Sequence, residues 1–160
     1  MNAVIKAGVA LAVLVDVISI ALIATGLLTS NPIVGGLVFL VLAITVTVGC
    51  IFWGLKQTAE DNGYLKQLLN GLLIGVVAGV LIFGLSMLNL TVLFPDYLEE
   101  SKTASIEMFE SMNMPEQVLE QQVDKIEGQT AVKQAVNGTI GTIVTSLIFG
   151  AIIAIFKRKK

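Results

Sequence analysis

The sequence predicts an all-α polytopic membrane protein: four transmembrane helices, with a pair of amphipathic helices between the third and fourth on the extracytoplasmic side. Three observations predict it. Four apolar runs, at residues 4–28, 33–55, 68–94 and 132–156, each exceed the roughly 20 residues an α-helix needs to cross the hydrocarbon core. Of the 160 residues, 55% are hydrophobic and only 14% charged, with a mean hydropathy of +0.87, which is too little charged surface to keep a soluble domain dispersed. Between the last two runs, residues 95–131 are charged and carry apolar residues at helical spacing. The chain is read as one integral membrane domain, 1–160.

Run one follows Lys6 and is longer than the 7–15 residues usual for a signal-peptide core, so it is expected to stay as a span. Residues 29–32 (Thr-Ser-Asn-Pro) read as a tight turn, because Asn-Pro favours turn initiation and Pro32 suits a helix start. Spans one and two therefore form an antiparallel hairpin. The next connection holds Glu60-Asp-Asn-Gly63, a turn-forming cluster, with Trp53 and Tyr64 where aromatic residues anchor at the water–lipid interface. Pro95 ends span three. Tyr97, Leu98, Met108, Phe109 and Met112 mark one outer helix, and Leu119, Gln122, Val123 and Ile126 a second. Asn113 is the expected cap before Pro115 and Glu116 open that second helix, and Gly128 is expected to turn the chain into span four, softened by Asn137 and Gly138.

Charge orients the whole. Four spans place both termini and the 56–67 connection on one side, which carries Lys6, Lys56, Lys66, Lys157, Arg158, Lys159 and Lys160. The other side has Lys102, Lys125 and, at the span edge, Lys133. Basic residues near span ends favour the cytoplasmic side. Both termini are thus expected in the cytoplasm, with the protein in the cell's inner (plasma) membrane. The basic rim would meet anionic headgroups. The outer segment is acidic, with Asp96, Glu99, Glu100, Glu107, Glu110, Glu116, Glu120, Asp124 and Glu127.

Two stripes of small residues concern packing. Gly71, Gly75 and Gly79 recur every fourth residue in span three, and Gly138, Thr142, Ser146, Gly150 and Ala154 do so in span four. Small residues at that spacing let membrane helices approach closely. These faces are expected to pack together or against another subunit.

Taken together, Asp61-Asn-Gly-Tyr64 before span three, Phe94-Pro-Asp-Tyr97 at its end, the Met-Pro-Glu-Gln117 restart and the closing Ile-Phe-Lys-Arg-Lys-Lys tail carry a resemblance. Over nearly its whole length the chain resembles a family of small bacterial four-span membrane proteins, domain of unknown function 4199. Only Leu65-Lys-Gln-Leu68 departs from that pattern. The resemblance implies the architecture and no activity, cofactor or catalytic residue.

Asp16 is the sharpest chemical feature, a carboxylate near the middle of span one, where such a group costs about 2.5–3.5 kcal/mol on insertion scales. Two readings stand. It marks an ion or proton path, or it is a protonated, structural hydrogen-bonding group between helices, with Ser19, Thr45, Thr47, Ser86, Asn89 or Ser146 as partner. Asn70 and Asn89 suit capping or bridging roles. The outer helices offer a partner surface through Tyr97, Met108, Phe109, Met112, Leu119 and Val123, the methionines making it adaptable. No histidine is present and the one cysteine, Cys50, lies in an apolar run, so no metal site or disulfide is expected. No phosphate-binding loop, nucleophile elbow or zinc-protease motif occurs, and the basic run is too short for nucleic acid. The expectation is a cofactor-free, non-enzymatic scaffold or accessory subunit that binds lipid and a membrane-protein partner or its own copies. The alternative is a small transporter or ion-conducting homo-oligomer using Asp16.

Overall fold

The structure, a computed structural model, describes residues 3–112 and 114–159. Every regular element among the described residues is a helix: α1 Ala3–Ala24, α2 Leu27–Ser30, α3 Pro32–Lys56, α4 Tyr64–Leu88, α5 Tyr97–Ser111, α6 Glu116–Glu127 and α7 Ala131–Phe156. A π-helical turn, Asn89–Leu93, extends α4. Four of these helices are long and apolar enough to cross a membrane: α1, α3, α4 with its π turn, and α7. Asn113, the expected cap of α6, lies outside the described residues.

The first hairpin is built differently from the four-residue turn expected. Apolar residues continue to Leu28, but α1 stops at Ala24 because Gly26 adopts the left-handed conformation, φ 69°. The single turn α2 then lies across the start of α3. A Cβ at Gly35 would sit 2.7 Å from the Leu27 carbonyl oxygen, so only glycine permits that crossing. Pro32 stands at the start of α3 as expected, and Asn31 caps it: its Oδ1 accepts from the Val34 amide at 3.1 Å.

At the other junctions the helices run a few residues beyond the apolar stretches. α4 begins at Tyr64 rather than at residue 68, since Lys66 and Gln67 are helical too. Gly128 stays right-handed, φ −69°, so it ends α6 without redirecting the chain. The start of α7 is set instead by Thr130, whose Oγ1 accepts from the Lys133 amide at 3.2 Å. Asn137 and Gly138 do not soften α7, which runs unbroken through both.

The four long helices pack in a square, with α1 against α3 and α4, and α7 against α3 and α4. The chain termini lie at one end of the bundle, the terminal end. The hairpin of α5 and α6 lies at the other, the loop end, where α5 covers α2 and the start of α3 while α6 packs chiefly on α5. The α4–α7 contact is the most extensive. Its cause is backbone proximity: a Cβ at Gly71 would lie 2.9 Å from Gly150 Cα, and one at Gly75 only 2.5 Å from Ser146 Cβ. Membrane helices lack a hydrophobic drive toward each other, so dispersion across such a close seam has to hold them.

The apolar core gathers in the terminal half, where Val4, Ala7 and Leu11 of α1 meet Ile51 and Leu55 of α3, Ile74 of α4 and Ala154 of α7. Outward faces are as apolar as the core. Val17, Leu37, Val41, Val80 and Ile140 are each more than half exposed, an aqueous liability on this scale but the expected coat of a bundle solvated by lipid.

Candidate functional site

Asp16 lies on the inward side of α1, half-buried. Its partner is Asn89, whose Nδ2 donates to Asp16 Oδ1 at 2.7 Å. Asn89 is the first residue of the π turn, closed by the Phe94 amide donating to the Asn89 carbonyl at 2.8 Å, and only 3% of it is exposed. The wider turn inserts a residue into the helical phase, so the position of Asn89 across from α1 depends on it. Among the described residues Asp16 has no ion-pair partner. The other candidates for that bond are engaged elsewhere or stand nearby: Thr45 faces outward and donates to the Val41 carbonyl, Thr47 donates to the Ala43 carbonyl, and Ser19 and Ser86 share the space beside Asp16.

That space is a cavity of about 390 Å³ in the loop-end half, where the core thins out. Val15, Asp16 and Ser19 of α1 and Ile82 and Ser86 of α4 form one part of its wall. Phe39, Leu40, Ala43, Ile44 and Thr47 of α3 form a second, and Asn137, Gly138, Gly141, Thr142 and Thr145 of α7 a third. Leu40, Asn137, Gly138 and Gly141 are exposed, so the rim runs between α3 and α7. No Lys or Arg lines it. A smaller cavity of about 150 Å³ continues toward the loop end, sharing Ser19, Phe39, Ser86 and Gln134 with the first and reaching Asn89 and Tyr97.

Tyr97 therefore does not belong to an outer contact surface. It is 7% exposed and turned into the bundle beneath α5, with its hydroxyl within hydrogen-bonding reach of Ser101 and Gln134. Burial holds its phenol above the ordinary tyrosine value, a shift those two hydrogen bonds oppose. Of the remaining expected surface residues, Met108, Phe109, Leu119 and Val123 are half-buried between α5 and α6 or below them, and Met112 is exposed.

The small-residue stripes lie mostly within the α4–α7 seam. Gly71 faces Gly150 and Gly75 faces Ser146, while Gly79 meets Thr139 and Ile143. Toward the loop end the register slips. Thr139 Oγ1 donates to the Gly79 carbonyl at 3.0 Å, whereas Gly138 and Thr142, expected in the seam, line the cavity instead. An α-helix advances 100° per residue, so positions every fourth residue drift around the axis and cannot all face a straight neighbour. Ser146 Oγ, fully buried in the seam, has no hydrogen-bond partner among the described residues.

The sequence reading passed over one polar group, Gln67. It is fully buried at the terminal end, and its Nε2 donates to the carbonyls of Leu55 (2.8 Å) and Lys157 (2.7 Å), the ends of α3 and α7. Its Oε1 accepts from Thr58 Oγ1 at 2.8 Å and from Asn70 Nδ2 at 3.1 Å, so every donor and acceptor of the amide is used. The tail is held there too: the Lys159 amide donates to the Asn62 carbonyl, Lys157 lies over the Phe52 ring and Arg158 over Tyr64. A polar residue beside a basic loop reads as solvated; nothing local marked it as a tie between three helices.

A carboxylate with one oxygen held by an amide, set among hydroxyls and apolar walls, accepts hydrogen bonds and attracts positive charge. No group of three or more His, Cys, Asp or Glu residues that could hold a metal is found among the described residues.

Fold and site together define a multi-pass integral membrane protein with a largely apolar cavity, edged by one acid and several hydroxyls, inside a four-helix bundle. The chain belongs to the family described as protein of unknown function (DUF4199), whose model matches residues 6–159. Nothing among the curated proteins or the solved structures matches it.

Proposed function

We propose that this protein is a membrane-embedded solute-binding protein of the small-transporter class, with Asp16 as its binding group. The observation that carries the reading is the Asp16–Asn89 pair at the edge of a cavity of about 390 Å³ within one chain. An intramembrane acid is costly and tends to persist where it serves a substrate or ion path. The cavity belongs to a single bundle, so this reading needs no ring of subunits. It also takes the protein to be non-enzymatic, placed in a bacterial inner membrane with both termini in the cytoplasm, as the bias of Lys and Arg toward the terminal end supports.

Uptake of labelled small amines, alcohols and carboxylic acids into proteoliposomes tests it. Flux of at least one class above protein-free vesicles, lost in Asp16→Asn, is the expected result. Absence of flux for every class, or full flux in Asp16→Asn, would sink it.

A second reading, a scaffold or accessory subunit, draws support from α6, which packs chiefly on α5 and leaves Val118 41% exposed. Its test is capture of a membrane partner in mild detergent, lost on Phe109→Asp or Leu119→Asp while Asp16→Asn is tolerated.

A further inference from the structure

We propose that the cavity beside Asp16 takes a small organic ammonium ion carried on an apolar body, entering from the loop end. This deepens the solute-binding reading and rests on it.

The cavity itself selects the class. At about 390 Å³ it exceeds by an order of magnitude the roughly 30 Å³ that one water occupies, so it accommodates a molecule of many heavy atoms. Val15, Phe39, Leu40, Ala43, Ile44 and Ile82 give it a largely apolar wall, matched by a hydrocarbon or aromatic body. A bare metal cation needs a tight shell of oxygens, about six to eight for calcium, and would leave most of this space and its apolar wall unmatched. An anion would meet Asp16 with no Lys or Arg beside it. A neutral molecule would offer Asp16 hydrogen bonds but no charge. An ammonium group supplies both the charge and the N–H donors, and the Phe39 ring adds a face for the cation or for stacking.

A second, independent observation points the same way. The loop-end segment carries Asp96, Glu99, Glu100, Glu107, Glu110, Glu116, Glu120, Asp124 and Glu127 against Lys102, Lys125 and Lys133. Such an excess raises the local concentration of cations and their rate of arrival. Asp16 lies about 12 Å below the loop end of α1, from the ~1.5 Å rise per residue between it and Ala24. Acidic surface, exposed rim and half-buried Asp16 thus lie at the same half of the molecule.

The test is equilibrium binding to the full chain in nanodiscs by calorimetry, with three probes of matched size: 2-phenylethylammonium, 2-phenylethanol and phenylacetate. The proposal expects saturable ammonium binding at least about tenfold tighter than the alcohol, equivalent to about 1.4 kcal/mol, and no phenylacetate binding. Asp16→Asn is expected to remove the preference for the ammonium ion. Gly141→Leu tests the rim: a Cβ there meets nothing within 4 Å, so the substitution starts in open space, and the larger side chain is expected to block all binding. An unfolding midpoint equal to that of the native chain shows that each variant is folded. If alcohol and ammonium bind equally and Gly141→Leu blocks both, the ammonium assignment falls while the solute-binding reading stands. If no probe binds, or Gly141→Leu binds like the native chain, both fall.

Discussion

Gly75 illustrates how a single residue decides packing in this bundle. An alanine there would place its Cβ 2.5 Å from Ser146 Cβ, so Gly75→Ala is expected to force α4 from α7 and cost about 1–3 kcal/mol. Gly49→Ala, whose Cβ would meet nothing within 4 Å, is expected to gain about 0.5–1 kcal/mol from helix propensity alone. Unfolding in mixed detergent–SDS micelles measures both. Adding Ser146→Gly to Gly75→Ala should recover most of the loss, because it removes the clashing atom. Ser146→Ala, which deletes a buried hydroxyl without a partner, should be neutral or stabilising. Glycine every fourth residue was readable as a close-packing face. That Ser146 would meet it without a hydrogen bond was not, because spacing says nothing about the orientation of a side-chain hydroxyl.

Helix ends, rather than helix bodies, carry most of the polar architecture. Gln67 joins α4 to the Leu55 carbonyl near the end of α3, which also accepts from the Thr58 amide, and to the Lys157 carbonyl just past α7, so its loss leaves fewer donors for both. Gln67→Leu is expected to lower stability by about 3 kcal/mol and to expose the 157–159 tail to carboxypeptidase, whereas Lys66→Leu, on the exposed side, should do neither. Native resistance in Gln67→Leu would show that the tie is dispensable. At the opposite end the π turn plays the corresponding part by holding Asn89 against Asp16. Here the apolar run predicted the helix, but its phase was set by backbone hydrogen bonds from i to i+5 that no pattern of side chains announces.

On the scale of the molecule, charge is segregated along the bundle axis, with basic residues at the terminal end and acidic ones at the loop end. With the termini in the cytoplasm, a cysteine replacing Glu120 on a Cys50→Ser background should react with a membrane-impermeant maleimide in intact cells. One replacing Lys159 should react only after permeabilisation. The reverse pattern would invert the orientation and bring the cavity rim toward the cytoplasm.

The sequence by itself determined that this chain is a membrane protein, how many helices span, and that a helical pair separates the last two. Those follow from run length, because backbone groups in lipid must satisfy one another within each helix. It also singled out Asp16 and, among six partners, Asn89. Only the tertiary structure chose between them, drew Tyr97 inward and opened a cavity between α3 and α7. The reason is physical. In water, an apolar side chain tells core from surface; in lipid, core and surface are equally apolar, so hydropathy loses the contrast that would have placed each face. Rotation, register and empty space were then left to close backbone approach and a few buried hydrogen bonds, which join residues such as Asp16 and Asn89 far apart in the chain.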